Sequence, residues 1–164
     1  MKTDIMDVEC LAIVDESGEI LLQTNYPRKT SQIICKKALK DLSEISVIDE
    51  KVVLTKRLDE IYVIIFSPED RNEVLLAHYL EIFTEALFKI MRKTTREYVF
   101  KKYDQICLLL SNFIYNNIVL VEDVNLLVSK VPIRSFEGLE SMYIPQSFAT
   151  FFNKAKKTIN KRNK

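Results

Sequence analysis

Residues that interrupt regular structure are scarce in this sequence. It has two glycines and four prolines among 164 residues, and it has no tryptophan. Hydrophobic residues make up 48% of the chain, which is enough to build the core of one domain of this length. The composition therefore argues against extensive disorder anywhere except at the chain ends.

Residues that carry enzyme chemistry are also few. His78 is the only histidine, and a lone histidine on a polar helix face is typical of a surface residue rather than a catalytic base. Gly18 stands alone in its turn, so no glycine-rich phosphate loop is present. Carboxylates such as Asp15 and Asp59 fall in predicted turns, where solvation or local hydrogen bonds are the usual role. The sequence predicts a non-enzymatic protein without metal, cofactor or small-molecule substrate.

The cysteines and the apolar runs indicate the compartment of the protein and whether it spans a membrane. Cys10, Cys35 and Cys107 are widely spaced in apolar surroundings, which predicts reduced, buried thiols in a cytosolic protein. The first apolar run, residues 10–14, is too short for a signal peptide. The longest uncharged run, residues 105–121, contains polar residues and is shorter than the ~20 residues of a membrane-spanning helix. We therefore expect no membrane span.

Charge is unevenly distributed although the net charge is only +1. Residues 145–164 contain six basic and no acidic residues, which leaves 18 basic and 23 acidic residues, a net charge of −5, on the rest of the chain. So short a basic segment on an acidic body argues against nucleic acid as a partner. The tail lysines form either the solvated face of a helix packed on its own domain, which we favour, or a contact with anionic lipid headgroups.

The first half of the chain reads as strands around one helix. Two hairpins are predicted, one from residues 8–15 and 20–26 across Gly18, the other from residues 51–57 and 61–66. A short strand at residues 46–48 precedes the second hairpin. Between the hairpins, Thr30 or Ser31 caps a predicted helix that ends near Leu42. The inward-facing residues expected on that helix are Ile33, Ile34, Ala38 and Leu42.

The second half reads as helices. A helix from Asn72 to Arg92 has one narrow polar stripe and is apolar almost everywhere else, so a neighbouring helix or another protein must cover part of it. The stripe consists of His78, Glu81, Glu85, Lys89 and Arg92. A second long helix follows a hinge at Thr94 and Thr95, Asn116 and Asn117 suit a turn, and residues 122–131 form a short helix.

Hairpins followed by helices, with strands that are apolar on both sides, predict an α/β (α+β) layered domain. We expect a five-stranded antiparallel sheet between one helix and two long helices, within a domain of residues 1–131. Residues 132–164 form a connector and a basic C-terminal amphipathic helix that begins at Pro145. Phe148, Phe151 and Phe152 lie on one side of that helix and are predicted to dock it on the domain.

Several weak motifs in this order resemble one known family. They are the strand Ile61–Ile64, the Asn72-Glu73 pair, the helix end Arg92-Lys93, the apolar Ile118–Leu120, and the helix end Ser129–Val131. The pattern resembles the longin-like domain of adaptor small chains, and most of all the coatomer zeta family. It covers about residues 8–160. The family has an Asp-Glu pair before a glycine-containing turn, where this chain has Ser111-Asn112 and then Asn116-Asn117.

The resemblance implies a non-enzymatic small subunit of the COPI coat. Such a subunit pairs with the trunk of the large gamma subunit in a heterotetramer with beta and delta subunits. It would be cytoplasmic, peripherally associated with Golgi and COPI vesicle membranes, and would act in Golgi-to-ER retrograde and intra-Golgi transport. Two alternatives stay open at this point: a clathrin-adaptor sigma chain with a pocket for a dileucine signal, and an autonomous longin regulatory or tethering module.

Leu108 is the candidate residue for a partner interface. The second long helix has an interrupted polar stripe of Glu97, Lys101, Asp104 or Gln105, and Ser111. Leu108 places an apolar side chain in that stripe, where a residue without a partner protein would be polar.

Deletion of residues 145–164 tests the predicted docking of the C-terminal helix. If Phe148, Phe151 and Phe152 pack on the domain, their removal lowers the melting temperature or the solubility of the shortened chain. Thermal unfolding and sedimentation of the full and shortened chains measure this. If the melting temperature and the solubility are both unchanged, and the amide protons of the segment exchange at coil rates, docking is contradicted and the lipid interpretation is favoured.

Overall fold

A computed structural model of the chain describes residues 8–132. Strands and helices follow one another in the predicted order. They are β1 (Cys10–Asp15), β2 (Ile20–Gln23), α1 (Arg28–Asp41), β3 (Ile45–Ile48), β4 (Lys51–Leu58), β5 (Ile61–Pro68), α2 (Glu73–Met91), α3 (Arg96–Lys101), α4 (Tyr103–Phe113), β6 (Ile114–Tyr115), β7 (Ile118–Val119) and α5 (Val124–Ser129). The predicted docking helix with Phe148, Phe151 and Phe152 lies outside the described residues. The division of the chain after residue 131 therefore stays a prediction.

Five strands form one antiparallel sheet in the order β2-β1-β5-β4-β3. β5 is the central strand: Phe66 lies opposite Cys10 of β1, and Ile61 lies opposite Leu58 of β4. Short hairpins join β1 to β2, β3 to β4 and β4 to β5, which is why these three pairs are antiparallel. β1 and β5, which are distant in the chain, are antiparallel as well. The five-stranded antiparallel sheet predicted from the sequence is confirmed.

The sheet separates two hydrophobic cores because side chains alternate along a strand. Ile61, Val63 and Ile65 of β5 belong to the larger core with α2, α4 and α5. Ile64 and Phe66 belong to the smaller core with α1. The described chain is thus an α/β/α sandwich, with one helix on one face and the predicted helical layer on the other.

Helix α1 differs from its prediction at its start. It begins at Arg28 after Pro27, which suits a first turn because its fixed φ is already helical, and no side chain caps it. Ser31 instead lies inside the helix, buried, and its hydroxyl donates to Oε1 of Gln23 at 2.6 Å. Thr30 and Ser31 as caps were therefore wrong.

Two of the four residues expected to face inward on α1 face solvent. Ile34 and Ala38 are buried as predicted, together with Cys35, whereas Ile33 is 54% exposed. Leu42 is 85% exposed because it ends the helix in the left-handed conformation (φ 53°), which takes its side chain off the helical face. The inward face of α1 thus includes Cys35 in place of the predicted Ile33.

Helix α2 follows its prediction closely. The side chain of Asn72 caps it by accepting hydrogen bonds from the amides of Val74 (2.9 Å) and Leu75 (3.3 Å), and Arg92 ends it in the left-handed conformation. The predicted polar stripe is exposed. The rest of the apolar surface is mostly covered within the chain, for example by α4, where the rings of Phe83 and Phe113 are 5.4 Å apart. The neighbouring helices, rather than another protein, therefore cover most of the apolar surface of α2.

The second long helix is broken in two, which the sequence did not predict. α3 ends at Lys101 and α4 begins at Tyr103, with Lys102 at φ −110° between them. A continuous helix would place Lys102 on the inward face, three residues after buried Val99 and four before buried Ile106. With the break, Lys102 is partly buried, its amide still donates to the carbonyl of Tyr98 (2.9 Å), and its carbonyl still accepts from the amide of Ile106 (3.0 Å).

A small ribbon and a short helix complete the described chain. Asn116 (φ 47°) and Asn117 (φ 67°) form the two-residue turn between β6 and β7. Two successive residues with positive φ are the geometry that twisted hairpins favour, so the predicted Asn turn is confirmed. α5 is shorter than the predicted 122–131 helix, because Asp123 caps it by accepting from the amide of Leu126 at 2.6 Å.

Asp15 links the first hairpin to the helical layer. Its Oδ1 accepts from the hydroxyl of Ser17 (2.6 Å) and from the amides of Ser17 and Glu19 (2.9 Å each). Its Oδ2 accepts from Nη1 of Arg96 at 2.6 Å, and Nη2 of Arg96 lies 3.1 Å from Glu19. A buried carboxylate that lies at the end of β1 thus holds both its own turn and the start of α3.

A similar link joins the second hairpin to the connection between α2 and α3. The hydroxyl of Thr94 donates to Asp59, and the amide of Glu60 donates to the carbonyl of Thr94 at 3.3 Å. Both hairpins therefore fix the α2–α3 connection at the end of the sheet. Asp15 makes the local hydrogen bonds expected of a carboxylate in a turn, and both Asp15 and Asp59 also bind residues far along the chain, which was not predicted.

Acid should weaken the Asp15 link. Burial alone would raise the pKa of this carboxyl, but the Ser17 hydroxyl, the Glu19 and Ser17 amides and the Arg96 guanidinium together lower it. A folded-state pKa below the unfolded value of about 3.9 gives stability that is complete above that pH and is lost as the pH falls through the folded-state value. We expect Asp15→Asn to lower the free energy of unfolding by about 1–3 kcal/mol at neutral pH, and to lose less stability than the wild type on acidification below about pH 4.

Urea unfolding at pH 7 and pH 3 measures both effects. Asp49→Asn is the matched control, because Asp49 pairs with Lys37 at 2.7 Å while both side chains are about half exposed. An exposed pair of this kind contributes only about 0–1 kcal/mol. Equal stability of Asp15→Asn and wild type at neutral pH would show that the link is dispensable.

Candidate partner interface

The outer face of α4 carries an apolar side chain among polar ones. Asp104, Leu108 and Ser111 recur at intervals of four and three residues, and all are exposed. Leu108 is 41% exposed, as the sequence predicted. Gln105, offered as an alternative member of the polar stripe, is instead buried, so Asp104 is the stripe residue.

The inner face of α4 fixes the direction of Leu108. Ile106, Leu109 and Phe113 are fully buried in the larger core. Gln105 donates from Nε2 to the carbonyl of Pro132 at 3.1 Å, which ties α4 to the chain that follows α5. Because these contacts prevent rotation of α4 about its axis, Leu108 is held toward the outside.

Other exposed apolar side chains lie on the same helical layer and on the β6–β7 ribbon. Together with Leu108 they form what we call the apolar surface. Its further members are Phe88, Tyr115, Ile118, Leu126 and Leu120, which directly follows the ribbon. Leu126 is 51% and Leu120 is 54% exposed, more than Leu108. The sequence did not single them out, because the periodicity of a largely apolar segment does not tell which side its neighbours cover.

A polar groove of about 440 Å³ runs between α2 and the start of α5. Nε2 of His78 lies 3.8 Å from Glu122, and Nζ of Lys89 donates to Asn125 at 3.1 Å. These side chains are largely exposed, so their pairing contributes little to stability. His78 is thus a surface residue of this groove. The residues that the structure describes contain no group of three or more His, Cys, Asp or Glu side chains able to hold a metal ion.

A second groove, of about 480 Å³, lies at the edge of the sheet where β3 begins. Leu42, Ile45 and Leu80 supply apolar walls, and Lys56 forms an ion pair with Glu81 at 2.6 Å beside them. The charges that line this groove balance, since the lining contains two basic residues, Lys56 and Arg57, and two acidic residues, Glu44 and Glu81. The lining alone does not favour one class of ligand.

The cysteines are free thiols. Burial raises the pKa of Cys10 and of Cys35 to about 12, against which a hydrogen bond with Thr24 acts at Cys10. Cys107 is only partly buried, and burial raises its pKa as well. Thiolates react and thiols do not, so these groups are poorly nucleophilic near neutral pH.

No helix among residues 8–132 combines the length and the apolar character needed to cross a bilayer. α2 is the longest described helix at 19 residues, and its polar stripe interrupts the apolar surface.

Comparison with known proteins identifies relatives along nearly the whole chain. No protein-family model matches it. The coatomer subunit zeta of Encephalitozoon cuniculi is 38% identical over 159 residues, which are 96% of this chain and 96% of the relative. Coatomer subunit zeta-2 of Arabidopsis thaliana is 26% identical over 66% of this chain and 63% of its own length. Coatomer subunit zeta-1 of Oryza sativa subsp. japonica is 28% identical over 61% of this chain and 57% of its own length.

Structural comparison gives the fold independently. One chain in a homology model of the full-length AP-3 complex, in a stretched open conformation, matches with a TM-score of 0.59. The match covers 94% of this chain and 98% of that chain at 11% identity, so it speaks for the longin-like adaptor small-chain fold alone. The sandwich has the fold of an adaptor small chain and the sequence has a zeta relative over its whole length; the chain belongs to the coatomer zeta family.

Proposed function

We propose that this chain is a non-enzymatic small subunit of the COPI vesicle coat and pairs with the trunk of a large, gamma-like coatomer subunit. It works in a heterotetramer with beta-like and delta-like subunits, in Golgi-to-ER retrograde and intra-Golgi transport. The coat brings it to the surface of Golgi and vesicle membranes from the cytoplasm. The observation that carries the proposal is the 38% identity to a coatomer subunit zeta along 96% of both chains.

The apolar surface supports pairing with a large subunit. Permanent complexes bury about 2,000 Å² or more, and the centre of the buried area is apolar. Leu108, Leu120 and Leu126 are each at least 41% exposed on the helical layer and the segment that follows the β6–β7 ribbon. Scattered exposed apolar residues are ordinary, but several on one layer are typical of an interaction site.

The same features explain why the role is structural. α2 and α4 are held rigidly by the larger core, and their outward side chains keep fixed positions. A rigid surface loses little conformational entropy on binding, so the small chain contributes affinity and stiffness to the complex. No chemical step is needed for that contribution.

Leu108→Glu tests the proposed pairing. Leucine and glutamate have similar helix propensities, so α4 keeps its fold. Burial of an unpaired neutral polar group costs about 1–3 kcal/mol and burial of an unpaired carboxylate costs more, so binding weakens by roughly 10-fold or more. We therefore expect far less large subunit to co-purify with the tagged variant than with the tagged wild-type chain, as measured by quantitative mass spectrometry.

Leu42→Glu is the matched control. It makes the same substitution at a residue that is 85% exposed and lies at the end of α1, outside the helical layer. It should co-purify the large subunit at the wild-type level. If the wild-type chain brings down adaptins instead of coatomer subunits, or no large subunit at all, the proposed coat role is wrong. If coatomer subunits co-purify equally with Leu108→Glu and wild type, only the place of the interface is wrong.

A further inference from the structure

A dense cluster of positive charge lies where α2 ends and α3 begins. Residues 92–102 contain five basic residues and one acidic residue, Glu97. We call these five residues the basic corner. They are Arg92, Lys93, Arg96, Lys101 and Lys102. This is opposite in sign to the average of residues 1–144, whose net charge is −5.

The fold brings two of these lysines together. Nζ of Lys93 lies 5.6 Å and Nζ of Lys101 lies 5.4 Å from the centre of the same ring, that of Tyr98. Both ammonium groups lie over this ring, whose π electrons attract them. The two lysines therefore share one aromatic ring although eight positions separate them in the chain.

The residues of the basic corner differ in whether an acidic side chain of the fold pairs with them. Arg96 is bound to Asp15 and Glu19, and its charge is compensated there. Among residues 8–132 no carboxylate lies within 4.0 Å of the charged groups of Arg92, Lys93 or Lys101, and all three residues are exposed. These three side chains are free to meet an external anion.

Exposed aromatic rings border the same charges. Phe100 is 55% and Tyr103 is 42% exposed, on either side of Lys101 and Lys102. The guanidinium of Arg96 lies 5.8 Å from the Phe100 ring. Lysines that contact anionic headgroups, beside aromatic side chains that enter the interfacial region, are the combination found where proteins lie on a membrane surface.

We propose that the basic corner is a contact site for an anionic membrane surface. Arg92, Lys93 and Lys101 attract the headgroups, and Phe100 enters the boundary between headgroups and acyl chains. The contact is electrostatic and superficial, so it weakens with salt and with loss of anionic lipid. It goes beyond the proposed coat role, because pairing with a large subunit requires no lipid contact by the small chain itself.

Co-sedimentation of the purified full chain with vesicles tests this site. The vesicles contain phosphatidylcholine alone or phosphatidylcholine with phosphatidylserine, and the salt concentration is varied. We expect binding only to the vesicles with phosphatidylserine. The double variant Lys93→Glu/Lys101→Glu should reduce that binding about 10-fold or more, since each lysine near the surface contributes severalfold to affinity. Phe100→Ser should reduce it severalfold without changing net charge.

The matched control places the same charge change on the other face of the sheet. Lys29 and Lys40 of α1 are exposed, so Lys29→Glu/Lys40→Glu alters net charge equally but leaves the basic corner intact. It should bind within about twofold of wild type, because screening limits the reach of exposed charges to roughly 10 Å. Thermal melting of each variant confirms that it is folded.

The basic tail is a second source of positive charge that could bind the vesicles. The variant Lys156→Glu/Lys157→Glu distinguishes binding by the tail from binding by the basic corner. The proposal is overturned if the wild-type chain does not bind the anionic vesicles, or if the α1 control loses binding as much as the basic-corner variant. It is also overturned if only the tail variant loses binding. Preference for a single-stranded oligonucleotide over the vesicles would assign the corner to nucleic acid instead. None of these outcomes depends on which large subunit co-purifies, so the site and the coat role fail separately.

Discussion

Burial of the central strand on both faces is the constraint on which the rest of the structure depends. Ile61, Val63, Ile64, Ile65 and Phe66 of β5 have no exposed surface. Such a strand needs a cover on each side, which α1 provides on one face and the helical layer on the other. A shift of register by one residue would exchange the two sets of side chains between two cores of different shape. The turn between β4 and β5 limits that shift, since Asp59 takes a positive φ of 47° there and is also bound by Thr94.

The parts of the fold that depend on local pattern could be predicted from the sequence. The run Ile61–Phe66 marks a buried strand because it is short, β-branched and bounded by turn residues. Asn72 marks the start of α2 because its side chain can satisfy free amide groups at a helix end. Leu108 could be predicted as exposed because it interrupts a polar stripe. In each case the deciding residues are neighbours along the chain or along one face of a helix.

The parts that depend on distant contacts could not be predicted. Arg96 meets Asp15 across 81 positions, and no local pattern pairs them. The break at Lys102 contains neither glycine nor proline, so no helix-breaking residue marks it in the sequence. On α1, the sequence predicts Ile33 on the inward face, whereas the structure exposes Ile33 and buries Cys35. The extent of the apolar surface, beyond Leu108, likewise depends on how far α5 and the ribbon reach over α2 and α4.

Because of the break at Lys102, the basic corner and the apolar surface lie on helices that are oriented separately. α3 carries Lys101 and Phe100 of the basic corner, and it is held through Arg96 to the end of β1. α4 carries Leu108, and it is held through Phe113 to α2 and through Gln105 to the chain after α5. In one continuous helix, any rotation that served one surface would turn the other by the same angle. Because two short helices have separate anchors, a protein-binding face and a charged face can each be oriented on a layer that remains packed against one sheet.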